Sequence, residues 1–218
     1  MDHQQGPSGD QDQTGLVARA LGARWYRFVP TVSGTPGRPG WKPAHEETDD
    51  AGPMYGIALV SRLPVRQWRV RPFAAVPARM PVLVPTARGP RVVVVPDEPR
   101  AAVAAVVEGG HGPFTVVGTH LSFVPGFNAR QLRSIVRWVA DLPRPVFLAG
   151  DLNLPGRLPA RFTGWTPLVP ARSYPSFGPR VQLDHVLADG LPADRVHSGH
   201  VWRLPVSDHC AIAVDVEL

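Results

Sequence analysis

Short apolar runs separated by glycine and proline dominate the pattern of hydrophobic positions, and each run has the length of a strand. Two of these runs flank residues 109–113, which predicts a β-hairpin closed by a glycine-rich turn. The predicted strands are residues 56–63, 92–95, 101–107, 114–118, 146–149, 181–188 and 211–216.

A longer periodic segment at residues 128–142 predicts the main helix, because apolar residues recur at i, i+3, i+4 and i+7 from Leu132. Residues 11–22 predict a shorter helix, with Asp12 and Thr14 as candidate caps. Strands outnumber helices along the chain. The pattern therefore predicts a layered α/β fold in which parallel and antiparallel pairing are mixed.

Composition narrows the class of protein. The chain has 218 residues, of which 44% are hydrophobic, and we expect one domain over residues 1–218. Its single cysteine, Cys210, excludes an internal disulfide framework and a cysteine-rich zinc site. A net charge of +5 suits an anionic substrate, although 22 arginines against one lysine also fit a compositional bias. Four carboxylates in the Gly/Pro-rich loop 31–53 are interpreted as a solvated loop rather than a metal site.

The sequence gives no indication of a membrane span or an export signal. No stretch reaches 18 apolar residues, so no transmembrane segment is expected. Residues 1–12 are polar and acidic, unlike a signal peptide, and predict a cytoplasmic protein; a longer true N-terminus would change this expectation. We also expect the protein to be a monomer.

Four short motifs carry the candidate chemistry, and each lies at or near a predicted strand. They are GTHL at 118–121, GDLN at 150–153, LDH at 183–185 and SDH at 207–209. Each motif alone is weak, because a strand-end aspartate is usually a turn former. Together they bring histidines, aspartates and an asparagine to strand termini, where α/β proteins build sites. Such oxygen-rich ligands suit Mg²⁺ or Mn²⁺ rather than Zn²⁺.

The order of these motifs resembles that of the endonuclease/exonuclease/phosphatase superfamily, which includes DNases, apurinic endonucleases, inositol-polyphosphate phosphatases and bacterial sphingomyelinases. Residues 55–62 are similar to the family strand that precedes the motifs, and residues 10–14 to its first helix start. The resemblance covers roughly residues 10–218. It implies a two-sheet α/β sandwich with the site at one edge.

The resemblance also implies how the nucleophile would be prepared. Asp151 would position and deprotonate the attacking water as the general base. Asn153 would hold that nucleophile or a phosphate oxygen, and Asp208 would reach a divalent metal, Mg²⁺ or Mn²⁺. A cation near the phosphate would offset the charge that develops during attack.

Three further residues would hold the phosphate. His209 would bind it and stabilise the pentacovalent transition state, and Asp184 would accept a hydrogen bond from His209 to fix its tautomer. His120 would hydrogen-bond another phosphate oxygen. His185 follows Asp184 on an alternating strand and is expected to point away from this group.

The favoured interpretation is therefore a metal-dependent phosphoester hydrolase acting on an anionic phosphoester. The substrate stays open between a nucleic acid, a phospholipid and a phosphorylated small molecule, because loops set specificity in such folds. The alternative is a degenerate family member with little activity that acts as a binding protein. A basic nucleic-acid-binding module ranks last, since the arginines do not cluster into a stripe.

One expectation concerns the beginning of the chain. Family members normally begin with a strand carrying an asparagine, and a second strand then ends in a Gln-Glu-hydrophobic-Asp motif whose glutamate is a principal metal ligand. The chain opens Met1-Asp2-His3, so Asp2 falls at the aspartate of that motif. We expect a gene start assigned too late, an N-terminally incomplete fold with roughly forty residues missing, and poor Mg²⁺ binding. The other possibility is a degenerate site in which Asp2 or loop carboxylates substitute.

Overall fold

The structure is a computed structural model, and it describes residues 1–6, 9–36, 40–46, 52–84, 89 and 91–218. Three α-helices lie in this part of the chain: α1 (Gln13–Ala20), α2 (Phe127–Trp138) and α3 (Leu158–Thr163). The described strands are β1 (Asp2–His3), β2 (Trp25–Ser33), β3 (Lys42–Pro43), β4 (Met54–Ser61), β5 (Val65–Phe73), β6 (Arg79–Val84), β7 (Arg91–Pro96), β8 (Arg100–Gly109), β9 (Gly112–His120), β10 (Val146–Asp151), β11 (Thr166–Pro167), β12 (Asp184–Asp189), β13 (Val196–Trp202) and β14 (Ala211–Val216).

Two main sheets form the layers of the fold. The larger sheet has the strand order β11-β12-β10-β9-β8-β5, and within it only β9 and β10 run parallel. The smaller sheet has the order β1-β4-β2-β3 and is antiparallel throughout. Two-stranded ribbons, β6-β7 and β13-β14, complete the described strands. The expected two-sheet α/β sandwich is confirmed.

Strand β8 shows why the layers stack. Its residues are almost all apolar and buried, so both of its faces can be covered. Ala102, Ala104 and Val106 face α2 and pack with Leu132 and Ile135 in one core cluster. The alternate residues of β8 face the smaller sheet and join a second cluster with residues such as Val29 and Leu59. The period-2 geometry of a strand thus builds a core on each side of the larger sheet.

The predicted elements are mostly present, with shifted ends. The hairpin is confirmed, since Gly109 pairs with Gly112 across the turn between β8 and β9. Helix α1 begins at the predicted cap, where the Asp12 carboxylate accepts the N–H of Gly15 at 3.1 Å. The main helix is shorter than predicted and ends at Trp138, although Leu142 is still buried against the same core.

One predicted strand needs correction. Residues 181–188 were expected to form one strand with Asp184 inside it, but β12 begins at Asp184. Val181 instead makes an isolated bridge with Tyr174, because the chain turns there to meet the preceding loop. Asp184 is consequently at the start of a strand, at the edge of the sheet.

The Gly/Pro-rich loop 31–53 lies partly within the described residues. Glu46 forms an ion pair with Arg27 at 2.6 Å. The other three carboxylates of that run, at positions 47, 49 and 50, lie outside the described residues. Among the helices described, none is long and apolar enough to span a bilayer.

Candidate active site

Strand pairing places three of the predicted residues side by side at one edge of the larger sheet. His120 ends β9 and is the register partner of Asp151, which ends the parallel strand β10. Asp151 is in turn the register partner of Asp184, which begins the antiparallel strand β12. The carboxyl ends of parallel strands meet at one sheet edge, so the sequence positions of these residues bring them together.

Two backbone features hold Asp151 and Asn153 in place. Gly150 has φ +147°, and a Cβ there would overlap the carbonyl oxygen of Thr119, so only glycine allows this close approach of strands. Asn153 has φ 49°, a left-handed conformation that asparagine tolerates. Its backbone N–H donates to Asp151 Oδ1 at 2.9 Å, and its Nδ2 donates to the carbonyl of Leu121 at 2.9 Å.

Asp184 and His209 form a hydrogen-bonded dyad. The Nδ1–H of His209 donates to Asp184 Oδ2 at 2.7 Å, which leaves Nε2 at 3.9 Å from Asp151 Oδ2. Burial alone would lower the pKa of His209, but the hydrogen bond and negative charge of Asp184 outweigh it and raise the pKa. The dyad therefore favours an imidazolium that presents Nε2–H to the pocket.

His120 has the opposite electrostatic character. Burial, followed by the nearby Arg100 cation, holds its pKa well below the usual range, so the ring is neutral. Arg100 Nη1 donates to His120 Nδ1 at 3.2 Å, and the Tyr55 hydroxyl lies 3.4 Å from the same nitrogen. Because Nδ1 accepts from Arg100, the single ring proton resides on Nε2, which lies 3.5 Å from Asp151 Oδ2.

Asp151 lies between these two histidines. Burial and the charge of Asp184 raise the pKa of Asp151 to about 6, while His209 and the N–H of Asn153 act in the opposite direction. A carboxylate with a pKa this close to neutrality can accept a proton and release it again.

A short loop connects the two chain segments that carry the dyad. The Ser173 hydroxyl accepts the backbone N–H groups of Leu183 at 3.2 Å and Asp184 at 3.1 Å. The Ser173 carbonyl accepts the N–H of Cys210 at 2.7 Å, and the N–H of Ser176 donates to the Asp208 carbonyl at 2.6 Å. We call residues 173–176 the serine clamp, because it fixes the start of β12 against the segment that contains His209.

One cavity of about 670 Å³ lies over these groups. All six residues singled out in the sequence line it: His120, Asp151, Asn153, Asp184, Asp208 and His209. Arg180 is exposed and does not line this cavity. His185 is buried away from the cavity, with Nε2 at 2.8 Å from the carbonyl of Leu154.

The sequence did not single out three lining residues that contact the predicted histidines. They are Tyr55 and Arg100, which contact His120, and Tyr174, whose ring centroid lies 4.7 Å from that of His209. Arg100 is only 5% exposed, and its Nε has no hydrogen-bond partner among the described residues. Its nearest carboxylate, Glu98, is 3.6 Å away. Nothing in the sequence distinguished Arg100 from the other arginines, whereas Tyr55 could have been found as the first residue of the family-like segment.

The side chains of the cavity fit a divalent cation of the Mg²⁺ or Mn²⁺ kind. Asp151, Asp184 and His209 have ligand atoms within 4.8 Å of one another, and both carboxylates are largely buried. The hydrogen bond between His209 and Asp184 accounts for part of this closeness without an ion. Asp208, exposed at the cavity wall, and the amide oxygen of Asn153 add oxygen donors, which hard cations prefer.

Comparisons with known proteins agree with this arrangement. A model of the endonuclease/exonuclease/phosphatase family matches residues 5–209. Comparison with curated protein sequences gave no match.

Solved structures share the fold at low sequence identity. An endonuclease/exonuclease/phosphatase family protein from Bacteroides thetaiotaomicron has a TM-score of 0.61 at 13% identity, covering 93% of this chain and 78% of that one. A mannosyl-6-phosphatase from the same organism has a TM-score of 0.58 at 13% identity, covering 94% and 81%. Sphingomyelinase C from Streptomyces griseocarneus has a TM-score of 0.50 at 19% identity, covering 93% and 78%.

The structural likeness establishes the fold, and the family model extends over nearly all of the chain, including every motif that lines the cavity. The chain therefore belongs to the endonuclease/exonuclease/phosphatase family, and its general class is that of the phosphoesterase-type hydrolases.

Proposed function

We propose that this protein is a divalent-metal-dependent phosphoester hydrolase in which Asp151 is the general base. The observation that carries the proposal is the placement of a buried Asp151 carboxylate, with a pKa of about 6, between His120 and His209 in one cavity. Asp151 accepts a proton from water as the water oxygen attacks phosphorus. The bond between phosphorus and the ester oxygen breaks, and the alcohol leaves with a proton taken up from solvent. Holding the base beside the phosphate makes this attack effectively intramolecular.

The dyad acts on the phosphate. Asp184 keeps the Nδ1 proton of His209 in place, so Nε2–H of the imidazolium donates to a phosphate oxygen. Negative charge grows on that oxygen as the pentacovalent transition state forms. A preformed cationic donor stabilises the growing charge without reorganising.

His120 and Arg100 provide a second set of donors. The neutral His120 ring donates from Nε2 to another phosphate oxygen, because Arg100 occupies Nδ1. Arg100 is a buried guanidinium whose ion pair with Glu98 is long, at 3.6 Å, and whose Nε has no hydrogen-bond partner among the described residues, so an anionic ester would add to the compensation of its charge. The hydroxyl of Tyr55 also contacts His120 Nδ1 and so helps to hold the ring of His120 in position.

Asp208 is the residue that we propose holds Mg²⁺ or Mn²⁺, with Asn153 as a neighbouring oxygen donor. A bound cation supplies Lewis-acid stabilisation of the phosphoryl oxygens. Asp151 and Asp184 are engaged with the two histidines, which leaves them as base and orienting group.

The substrate is an anionic phosphoester, and the family leaves its class open between a nucleic acid, a phospholipid and a phosphorylated small molecule. Among structurally similar proteins, one is named a mannosyl-6-phosphatase and another a sphingomyelinase. Cleavage of a plasmid, an abasic duplex, a sphingolipid and an inositol phosphate by the same preparation would separate these classes.

The general proposal is tested with bis(p-nitrophenyl) phosphate, a soluble diester. The sequence predicts weak Mg²⁺ binding, so we expect turnover at high concentrations of Mg²⁺ or Mn²⁺ and its loss in excess EDTA. Asp208→Asn should raise the Mg²⁺ concentration for half-maximal rate by at least about tenfold. Asp194→Asn, an exposed carboxylate outside the cavity, serves as the matched control. Phosphoester binding without turnover under any divalent metal would favour the alternative of a degenerate binding protein.

A further inference from the structure

The candidate site is flanked by the β6-β7 ribbon, whose strand β7 has exposed apolar residues. Three consecutive valines of β7 are exposed, with Val92 at 66% and Val94 at 61%. Successive residues of a strand point to opposite faces, so β7 exposes valines on both of its faces. Val94 is the register partner of Pro81, which lines the cavity.

A second exposed apolar group adjoins other residues that line the cavity. Val206 is 86% exposed and immediately precedes Ser207, a lining residue. Trp202 and Leu204 are exposed in the same segment. Phe177 is exposed beside Ser176, which hydrogen-bonds the backbone of Ser207 and Asp208. We call these residues together the apolar rim: Val92, Val93, Val94, Phe177, Trp202, Leu204 and Val206.

The charged residues in the segments that carry the apolar rim are all arginines, and the exposed Asp208, which follows the last of these segments, lines the cavity. Arg79 and Arg91 are exposed on the ribbon, and Arg180 and Arg203 are exposed beside Phe177 and in the 202–206 segment. The described residues of 79–84, 91–96, 172–180 and 202–206 include no aspartate or glutamate. Exposed apolar side chains, a tryptophan and interspersed arginines are the combination that binds the interface of an anionic bilayer.

We propose that the apolar rim docks onto an anionic phospholipid surface and presents the cavity to a phosphoester in the lipid headgroup layer. A strand that exposes valines on both faces, as β7 does, suits insertion into a lipid layer, which surrounds it, better than contact with a flat protein partner. The substrate class rests on the proposed function, whereas the docking itself does not require turnover.

Membrane docking is tested by flotation of the full chain with vesicles. We expect binding to vesicles of equal parts phosphatidylglycerol and phosphatidylcholine, and little binding to phosphatidylcholine alone. Val94→Glu combined with Val206→Glu should lower the bound-to-free ratio by at least about tenfold. Val17→Glu combined with Leu21→Glu, at exposed positions on and just after α1, is the matched control and should bind as the wild type does. Circular dichroism establishes that both variants fold.

Each result decides between docking and its alternatives. Absence of vesicle binding, equal binding to phosphatidylcholine alone, or equal loss in both double variants would overturn the docking proposal. A dimer in lipid-free buffer that the Val94→Glu/Val206→Glu variant dissociates would assign the rim to a second copy and would also overturn it. Hydrolysis of the soluble diester without vesicle binding would contradict docking alone, and vesicle binding without any hydrolysis would contradict the proposed function alone.

Discussion

The hydrogen bond from His209 to Asp184 determines which ring nitrogen of His209 faces the cavity. In Asp184→Asn, the side-chain amide can donate as well as accept, so it favours the His209 tautomer that has no proton on Nδ1. The substitution also removes the negative charge that stabilises the His209 imidazolium. We expect kcat for the diester to fall by about 10²–10⁴-fold, with little change in melting temperature.

The matched control for this substitution lies on the same strand. Asp189→Asn at the other end of β12 changes a carboxylate that pairs with Arg144 at 3.0 Å, outside the cavity. Its kcat should stay near that of the wild type. Near-normal turnover in Asp184→Asn would remove Asp184 from the mechanism.

His185 contributes to the stability of the fold, outside the cavity, in a way that depends on pH. It is 1% exposed, and burial, opposed by its bond to Leu154 and by Asp184, lowers its pKa below the ordinary value. The unfolded chain therefore binds more protons than the native chain between the lowered pKa and about 6.5. The contribution of neutral His185 to the free energy of unfolding is fully present above the pKa of His185 in the unfolded chain. It is lost as the pH falls through the lower pKa of His185 in the folded chain.

His185→Gln isolates that contribution, since glutamine keeps a donor for the Leu154 carbonyl but does not titrate. The free energy of unfolding in urea, measured from pH 5 to pH 8 on both proteins, gives the difference as a function of pH. The advantage of the wild type should grow as the pH rises toward neutrality and then level off. A difference that shrinks with rising pH would contradict the account.

At the scale of elements, the serine clamp joins the start of β12 to the segment before β14. Ser173→Ala leaves the N–H groups of Leu183 and Asp184 without their acceptor at a buried position. We expect a loss of about 1–3 kcal/mol in the free energy of unfolding, and a lower kcat because Asp184 is less well fixed. Denaturant titration and steady-state kinetics measure the two effects.

Ser134→Ala on helix α2 is the control for the clamp. Ser134 is half-buried and lies outside the cavity, so we expect a change within about 0.5 kcal/mol and unchanged kcat. Equal stability of Ser173→Ala and Ser134→Ala would show that the clamp contributes nothing.

Strands whose hydrophobic pattern is uniform were predictable from sequence, and strands with mixed patterns were not. The β8 run of alanine and valine and the final strand, Ala211–Val216, were identified because both are nearly continuous apolar runs. Strand β5 was missed because arginines alternate with its apolar residues. On this edge strand, Arg66 pairs with Glu108 and Arg69 pairs with Asp141. These ion pairs join residues far apart in the sequence, so only the folded chain reveals them.

The residues of the candidate site likewise divide into those that could be predicted from the sequence and those that could not. His120, Asp151, Asn153, Asp184, Asp208 and His209 stand in short motifs, so their proximity could be expected. Arg100 was not found, because its role depends on burial beside His120 and no local pattern encodes that burial.

For the whole molecule, the six-stranded sheet is common to both core clusters. Ala102 and Val103 are neighbours in β8, yet they belong to different clusters on opposite faces of the sheet. Because one strand serves both cores, we propose that residues 1–218 form a single domain. Thermal unfolding followed by near- and far-ultraviolet circular dichroism should give one coincident transition. Two separated transitions would divide the chain into independent units.

The most direct test of the account is the Mg²⁺-dependent kcat of Asp151→Asn for bis(p-nitrophenyl) phosphate, relative to the wild type. Asparagine preserves the shape of the side chain and can still accept the N–H of Asn153, but it cannot take a proton from water. We predict a loss of about 10²–10⁴-fold, with Asp141→Asn, at an exposed carboxylate paired with Arg69, unchanged. Turnover by Asp151→Asn equal to that of the wild type and of Asp141→Asn would contradict the assignment of Asp151 as the base.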